Sequence, residues 1–197
     1  MVEAKGAERR GEVRDGKGGD AEELLIRPAE AADVPEIAAI YAYHVLHGTG
    51  TFEEVPPSVE EMAARLADVA RRGGQWLVAT DATGVLGYAY FAPYHTRSAY
   101  RFTVEDSVYV REDQRGRGVG ARLLARLIEA AREAGKRQMV AVIGDSANAG
   151  SIGLHRSLGF VEAGRLRAVG FKFGRPLDVV LMQRALDAGL SPLASRD

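Results

Sequence analysis

A chain of 197 residues with a formal net charge of -1 has room for one domain with a real core, and its near-neutrality excludes a general attraction to nucleic acid or an anionic membrane. The absence of cysteine excludes disulfides, thiolate metal sites and a cysteine nucleophile, and fits a reducing compartment. No apolar run approaches the roughly 18 residues of a membrane span, and the N-terminus lacks an apolar signal core, so a soluble cytoplasmic protein is expected.

Residues 1–22 are dense in charge and glycine and almost devoid of large apolar side chains, a composition that cannot offset chain entropy. A disordered N-terminal tail is expected there, followed by a single domain over 23–187 and a short C-terminal tail over 188–197. Leu24 to Arg27 reads as a first strand, ended by Pro28. Asp33 with Glu36 has capping-box spacing, and Val34, Ile37, Ile40, Tyr41 and Val45 give the helix that follows an apolar stripe. The segment HGTGTFEEVPPS is loop-like, yet it carries Phe52, either a lid over a pocket or a plug at the core's edge. Ser58 and Glu61 form a second capping box, opening a helix that ends at Gly73-Gly74. Trp76 to Thr80 and Val85 to Tyr94 read as a hairpin around DATG.

The most informative stretch is Thr103 to Gly120, TVEDSVYVREDQRGRGVG. Val104, Val108 and Val110 alternate with Thr103, Ser107 and Tyr109 at the period of a half-buried strand. Beyond the glycines, Val119, Leu123, Leu124, Leu127, Ile128 and Ala131 recur at helical spacing. A glycine-rich turn that opens a helix offers unpaired N–H groups at the positive end of the helix dipole, and glycine lets a phosphate approach closely. Arg115 and Arg117 add charge, so the simplest ligand is a pyrophosphate. Gly116, Gly118 and Ala121 also satisfy G-x-G-x-x-A. A Rossmann unit is disfavoured because Arg111 to Arg115 intervene between strand and glycines and no second βαβ unit follows; a P-loop lacks its Lys-Ser/Thr. A merely tight turn remains the alternative.

A strand over Gln138 to Ile143 and a helix over Asp145 to Leu158 come next. Another strand begins at Phe160, and LRAVGFKFGRPLDVVLMQRAL reads as strands around the turn Phe173 to Pro176. The element order βααβββαβαββ describes a mixed α/β sheet with helices on both faces. His44, His47 and His95 show no metal-ligand spacing, so no metal is expected.

Arg115-Gly116-Arg117-Gly118-Val119-Gly120 fits R-x-x-G-x-G and resembles the acetyl-CoA pyrophosphate loop of the GNAT N-acetyltransferases. The strings YAYFAPYHTRSAYRFTVEDSVYV, VAVIG, LHRSLGF and LRAVGFKFG are similar to those of the phosphinothricin and methionine sulfoximine N-acetyltransferases. The resemblance spans about Leu24 to Leu186. It implies a mostly antiparallel central sheet splayed open at an acetyl-CoA slot, with acetyl-CoA as co-substrate, a small amino acid as acceptor and a homodimeric assembly.

Acetyl transfer from a thioester needs a neutral amine, a donor for the oxyanion and a proton for the departing thiolate. The resemblance places the base at Glu105, with Asp106 turned to the opposite sheet face by alternation; an ordinary surface carboxylate is the alternative for Glu105. Val108, Tyr109 and Val110 would line the slot, with a backbone N–H at or next to Val110 meeting the oxyanion. Asn148 and Ser151 match the family's N-x-x-S beside the pantetheine arm, and plain helix capping is compatible with that role. His155 stands where the family carries its acid, although a lone histidine can equally be structural. Phe52, Arg97 and Tyr100 fall where the family binds its acceptor, and for Arg97 a surface salt bridge is the alternative. Broader readings are an N-acetyltransferase for other amines, or an acyl-CoA-binding module without turnover.

Overall fold

The computed structural model describes residues 24–187, so both expected tails lie outside the described residues. The strands are β1 (Leu25–Pro28), β2 (Gln75–Asp81), β3 (Gly84–Pro93), β4 (Thr103–Val110), β5 (Gln138–Gly144), β6 (Val161–Lys172) and β7 (Arg175–Ala185). The helices are α1 (Val34–His47), α2 (Val59–Arg71), α3 (Val119–Glu133) and α4 (Ala149–Ser157). All strands join one sheet in the order β1-β2-β3-β4-β5-β7-β6, antiparallel throughout except between β4 and β5.

Each side of the sheet buries a separate apolar layer. The helical stripe of α3, from Val119 through Leu123, Leu124, Leu127 and Ile128 to Ala131, packs on Ala89, Phe91, Val104, Met139 and Ala141. On the opposite side Ile37, Ile40, Tyr41 and Val45 of α1 and Met62 and Val69 of α2 cover Trp76, Val78 and Tyr88. The alternation of side chains along β2, β3 and β4 feeds both layers at once, as a sheet covered on both faces requires.

Several local expectations need correction. Asp33 forms no box with Glu36. Its carboxylate accepts two 2.7 Å bonds from Arg27 and a third from the Glu30 N–H, while Glu36 accepts from the Val85 N–H at 2.8 Å. A bidentate arginine partner outcompetes a local cap because both its bonds are charge-assisted. Ser58 and Glu61 do form their box. Pro28 belongs to β1, which is tolerated because β1 is an edge strand. The fourth helix begins at Ala149 rather than Asp145, whose backbone is left-handed (φ 67°) and whose carboxylate pairs with Arg175 and accepts from the Ala147 N–H. The segment after Phe160 is one strand, β6, irregular between Leu166 and Gly170, and its turn to β7 is only Phe173-Gly174, both at positive φ.

Candidate active site

The fold makes its cleft by interrupting a strand pair. β4 and β5 run side by side from Thr103 opposite Gln138 to Asp106 opposite Ala141, and the pairing then stops although both strands continue. Beyond that point, among the described residues, β4 pairs in the sheet only with β3, and β5 only with β7. The Thr103 carbonyl and the Arg111 N–H both bond to the β3 side. Alternation therefore turns the N–H and C=O groups of Val108 and Val110 toward the opening. The Nε2–H of His44 donates to the Val110 carbonyl at 3.0 Å, while the N–H groups of Val108 and Val110 face the opening. Burial, and to a lesser degree the nearby Arg115 charge, pull the His44 ring's pKa down from the ordinary histidine value despite that bond.

A cavity of about 590 Å³ follows the opening from Asp106 and Ala141 out to Arg115, Gly116, Gly118 and the first turn of α3. The first bond of α3 runs from the Arg122 N–H to the Gly118 carbonyl, so the N–H groups of Val119, Gly120 and Ala121 lie ahead of the helical ladder. Gly116 and Gly118 sit at φ 75° and 81°, a region that side chains enter only with strain. Arg115 borders the cavity with its guanidinium over the Tyr43 ring, 5.6 Å from the centroid; Arg117 lies beyond it, bonded to Gln114. This end of the cavity has the positive dipole, the free donors and the bare backbone that a pyrophosphate needs. An extended amide-bearing arm fits the parted strands that follow.

Glu105 and His155 lie on opposite faces of the sheet. Glu105, opposite Ala92 on β3, projects toward the α1 and α2 side, half-buried and with no hydrogen-bond partner among the described residues. Burial first, and then the neighbouring Asp106 charge, push its carboxyl above the ordinary range, as a general base requires. It stands at the inner end of the cleft, one position before the strands part, and outside the cavity wall itself. Asp106 projects to the α3 and α4 side, as alternation predicts. There its Oδ2 accepts from His155 Nε2 at 2.9 Å, while His155 Nδ1 donates to the Ser151 carbonyl at 2.7 Å. Burial alone would lower the ring's pKa, but the bond and charge of Asp106 and the Ser151 carbonyl outweigh it, and the pKa ends above the ordinary value. Both ring nitrogens thus face an acceptor, and the other Asp106 oxygen is buried without a partner among the described residues.

The other expected residues divide. Asn148 caps α4 by accepting from the Ser151 N–H at 3.2 Å, and both residues border the cavity. Tyr109 borders it too, although its ring sits in an aromatic cluster with Tyr41, His44 and Tyr88 on the α1 side. Phe52 lies over two glycines at the far end of β5 and in β6: a Cβ on Gly144 would come within 2.9 Å of its ring, and one on Gly170 within 2.7 Å of Cζ. Arg97 and Tyr100 are exposed in the β3–β4 connection, where Tyr100 stacks edge-on with Tyr94 and His95, and neither reaches the cavity. Sequence reasoning missed His44, the pairing of Asp106 with His155, and Lys172. The Nζ of Lys172 is buried and donates to the carbonyls of Gly48 and Thr51. None of the three had a usable local signal, because each depends on a partner far away in the chain.

The description of the Acetyltransferase (GNAT) family matches residues 39–160. The chain is 54% identical over 164 residues to the phosphinothricin N-acetyltransferase of Alcaligenes faecalis, covering 83% of each chain. It is 50% identical over 163 residues to the L-methionine sulfoximine/L-methionine sulfone acetyltransferase of Pseudomonas aeruginosa, covering 82% of this chain and 94% of that one. The crystal structure of a GNAT superfamily phosphinothricin acetyltransferase from Sinorhizobium meliloti in complex with AcCoA superposes with a TM-score of 0.79 at 47% identity, covering 82% of this chain and 88% of that one. A glycine turn feeding a helix, a strand pair opened at its middle and relatives of this similarity agree with one another, and the chain belongs to the GNAT acetyltransferase family.

Proposed function

We propose that the protein moves an acetyl group from acetyl-CoA to the amine of a small L-amino acid whose side chain ends in an oxygen-bearing phosphorus or sulfur group, such as phosphinothricin, methionine sulfoximine or methionine sulfone. The observation that carries this reading is the position of Glu105, a desolvated carboxylate without a partner at the point where β4 and β5 separate. Residues 115–120 and the first turn of α3 hold the pyrophosphate, and Val108, Val110, Asn148 and Ser151 border the arm. Acetyl-CoA supplies an activated thioester.

Glu105 accepts a proton from the acceptor amine on the α1 and α2 side, directly or through one water. The Val110 N–H faces the negative charge that grows on the acyl oxygen. His155, held by its Nε2 bond to Asp106, is the proton source from the opposite face of the sheet. In this reading Arg97 and Tyr100, exposed in the β3–β4 connection and outside the cavity, meet the acceptor from that side, Arg97 offering a carboxylate or phosphinate a fork that lysine cannot copy, and Phe52 covers the acceptor.

A homodimer belongs to this reading. Support comes from β6, an edge strand with Leu166, Val169 and Phe171 exposed and Phe173 exposed just beyond it. The cytoplasm is the matching compartment, because the acetyl donor is an intracellular thioester.

The deciding assay is thiol release from acetyl-CoA with a panel of phosphinothricin, methionine sulfoximine, methionine sulfone, methionine and a polyamine. Turnover is expected with the first three. A preference for plain methionine or the polyamine would replace the acceptor class, and no release above background with any amine would favour a binding module.

A further inference from the structure

The loop between α1 and α2 is fastened to the far edge of the sheet by one buried cation. Lys172, the last residue of β6, is 2% exposed, and its ammonium donates to the Gly48 carbonyl at 2.8 Å and the Thr51 carbonyl at 2.9 Å. These carbonyls lie 124 and 121 residues earlier in the chain, on either side of the turn that leads into Phe52. Burial pulls the ammonium's pKa down, and the charges of Glu54 and Glu53 only partly restore it. A buried charge is a poor stabiliser compared with an apolar side chain of the same shape. What it provides here is direction, since an ammonium can fix two carbonyls that a methylene could only touch.

The loop has no slack elsewhere. The Tyr41 hydroxyl bonds Thr51 Oγ1 and Glu53, each at 2.8 Å, and Glu53 in turn accepts from Arg65 of α2. Gly144 leaves no space beneath the loop, since a Cβ there would stand 2.5 Å from the Thr49 carbonyl oxygen. Two residues before Lys172, Gly170 receives the ring of Phe52. One strand thus supplies both the flat seat for the ring and the cation that sets the backbone carrying it.

We infer that Lys172 is a positioning residue for acceptor recognition: by holding the Gly48 and Thr51 carbonyls it sets where the Phe52 ring stands over the acceptor, without touching the acceptor itself. This rests on the reading of Phe52 as part of the acceptor pocket. Lys172→Met keeps the stem and removes both donors; Lys172→Gln keeps one donor on a shorter stem and serves if the Met variant does not fold. For folded variants, verified by thermal melting and by a retained melting shift with acetyl-CoA, acceptor KM is expected to rise about tenfold to hundredfold, the range open to two lost charge-assisted hydrogen bonds, with acetyl-CoA KM nearly unchanged.

A double-mutant cycle with Phe52→Ala separates mechanism from mere support. If Lys172 acts through the ring, losing it in the Phe52→Ala background costs little further. Additive losses, or a Lys172 variant that lowers the melting temperature while leaving acceptor KM unchanged, would overturn the inference. Phe52→Ala with unchanged acceptor kinetics would instead overturn the reading of the pocket on which it stands.

Discussion

Gly170→Ala adds a single carbon directly beneath Phe52. The backbone of Gly170 is not in the left-handed region, so alanine meets no conformational penalty there and the effect is one of space. The new Cβ would meet Phe52 Cε2 first and would lie 2.6 Å from Cδ2 and 2.7 Å from Cζ. Carbon atoms settle at about 3.5–4.0 Å, so the ring has to retreat by more than about 1 Å. Its other flank is closed by Gly144, where a Cβ would already be 2.9 Å from Cε1, so the ring can only tilt up from the sheet. A shift of that size in a substrate-positioning group can lower acceptor kcat/KM by up to about 10²-fold, and overpacking costs about 1–3 kcal/mol of stability. Steady-state thiol release with the preferred acceptor, beside a thermal melt and an acetyl-CoA titration, reads all three quantities. Unchanged acceptor kcat/KM in a folded variant would refute the placement of Phe52 over the acceptor.

Glu105→Gln should cut turnover by about 10²-fold or more with little change in acetyl-CoA affinity. Because the folded-state pKa of Glu105 is raised, the charged carboxylate weakens the fold as pH climbs above the ordinary carboxylate range; the variant's melting temperature should therefore exceed the wild type's at neutral pH and match it near pH 4, and the reverse order would refute the reasoning. Asp106→Asn removes one partner of a buried pair, a truncation that costs up to about 3–5 kcal/mol where it strands a charge, and should return the His155 pKa downward, visible by NMR titration of the ring. Since that pKa is raised in the folded state, the wild type's advantage should be full below the unfolded value and shrink as pH rises through the folded one; a pH-independent difference would mean that the ring is neutral. Gly118→Val forces a β-branched residue to φ 81°, and the melting shift given by acetyl-CoA should vanish while NAD gives none with either protein. Arg97→Lys should raise acceptor KM about tenfold or more and leave acetyl-CoA binding alone, whereas kinetics like the wild type's would make Arg97 a surface residue.

What could be read in advance was periodic. The stripe from Val119 to Ala131, the alternation of Val104 with Glu105 and Asp106, and the box at Ser58 depend on neighbours two to four positions away, and each stands in the structure as read. The glycine turn was legible because Gly116 and Gly118 take a left-handed backbone that only glycine supplies cheaply. What stayed hidden depends on distant segments. Asp33 looked like a cap because nothing local announces Arg27's fork. His155 could be placed on an inward helix face, but its charge state waits on Asp106 from a strand 49 residues away. Lys172 is unreadable as an anchor until β6 is seen to pass under the loop at Gly48 to Thr51. Arg97 and Tyr100 lie near Glu105 in sequence and still stand outside the cavity, because their connection turns out to solvent before β4 begins.

The parting of β4 from β5 has a consequence for how freely the sequence can drift. The groups turned into the opening at Val108 and Val110 are main-chain amides and carbonyls, which every residue except proline provides in full. Substituting either valine by another β-former changes the wall of the cleft and leaves that hydrogen-bonding pattern intact. On the proposed reading, donor recognition along the strands is therefore robust to mutation in a way that acceptor recognition, resting on the individual side chains of Phe52, Lys172 and Glu105, is not. A lineage built on this sheet can exchange acceptors through a few substitutions on the α1 and α2 side while the same coenzyme continues to fit.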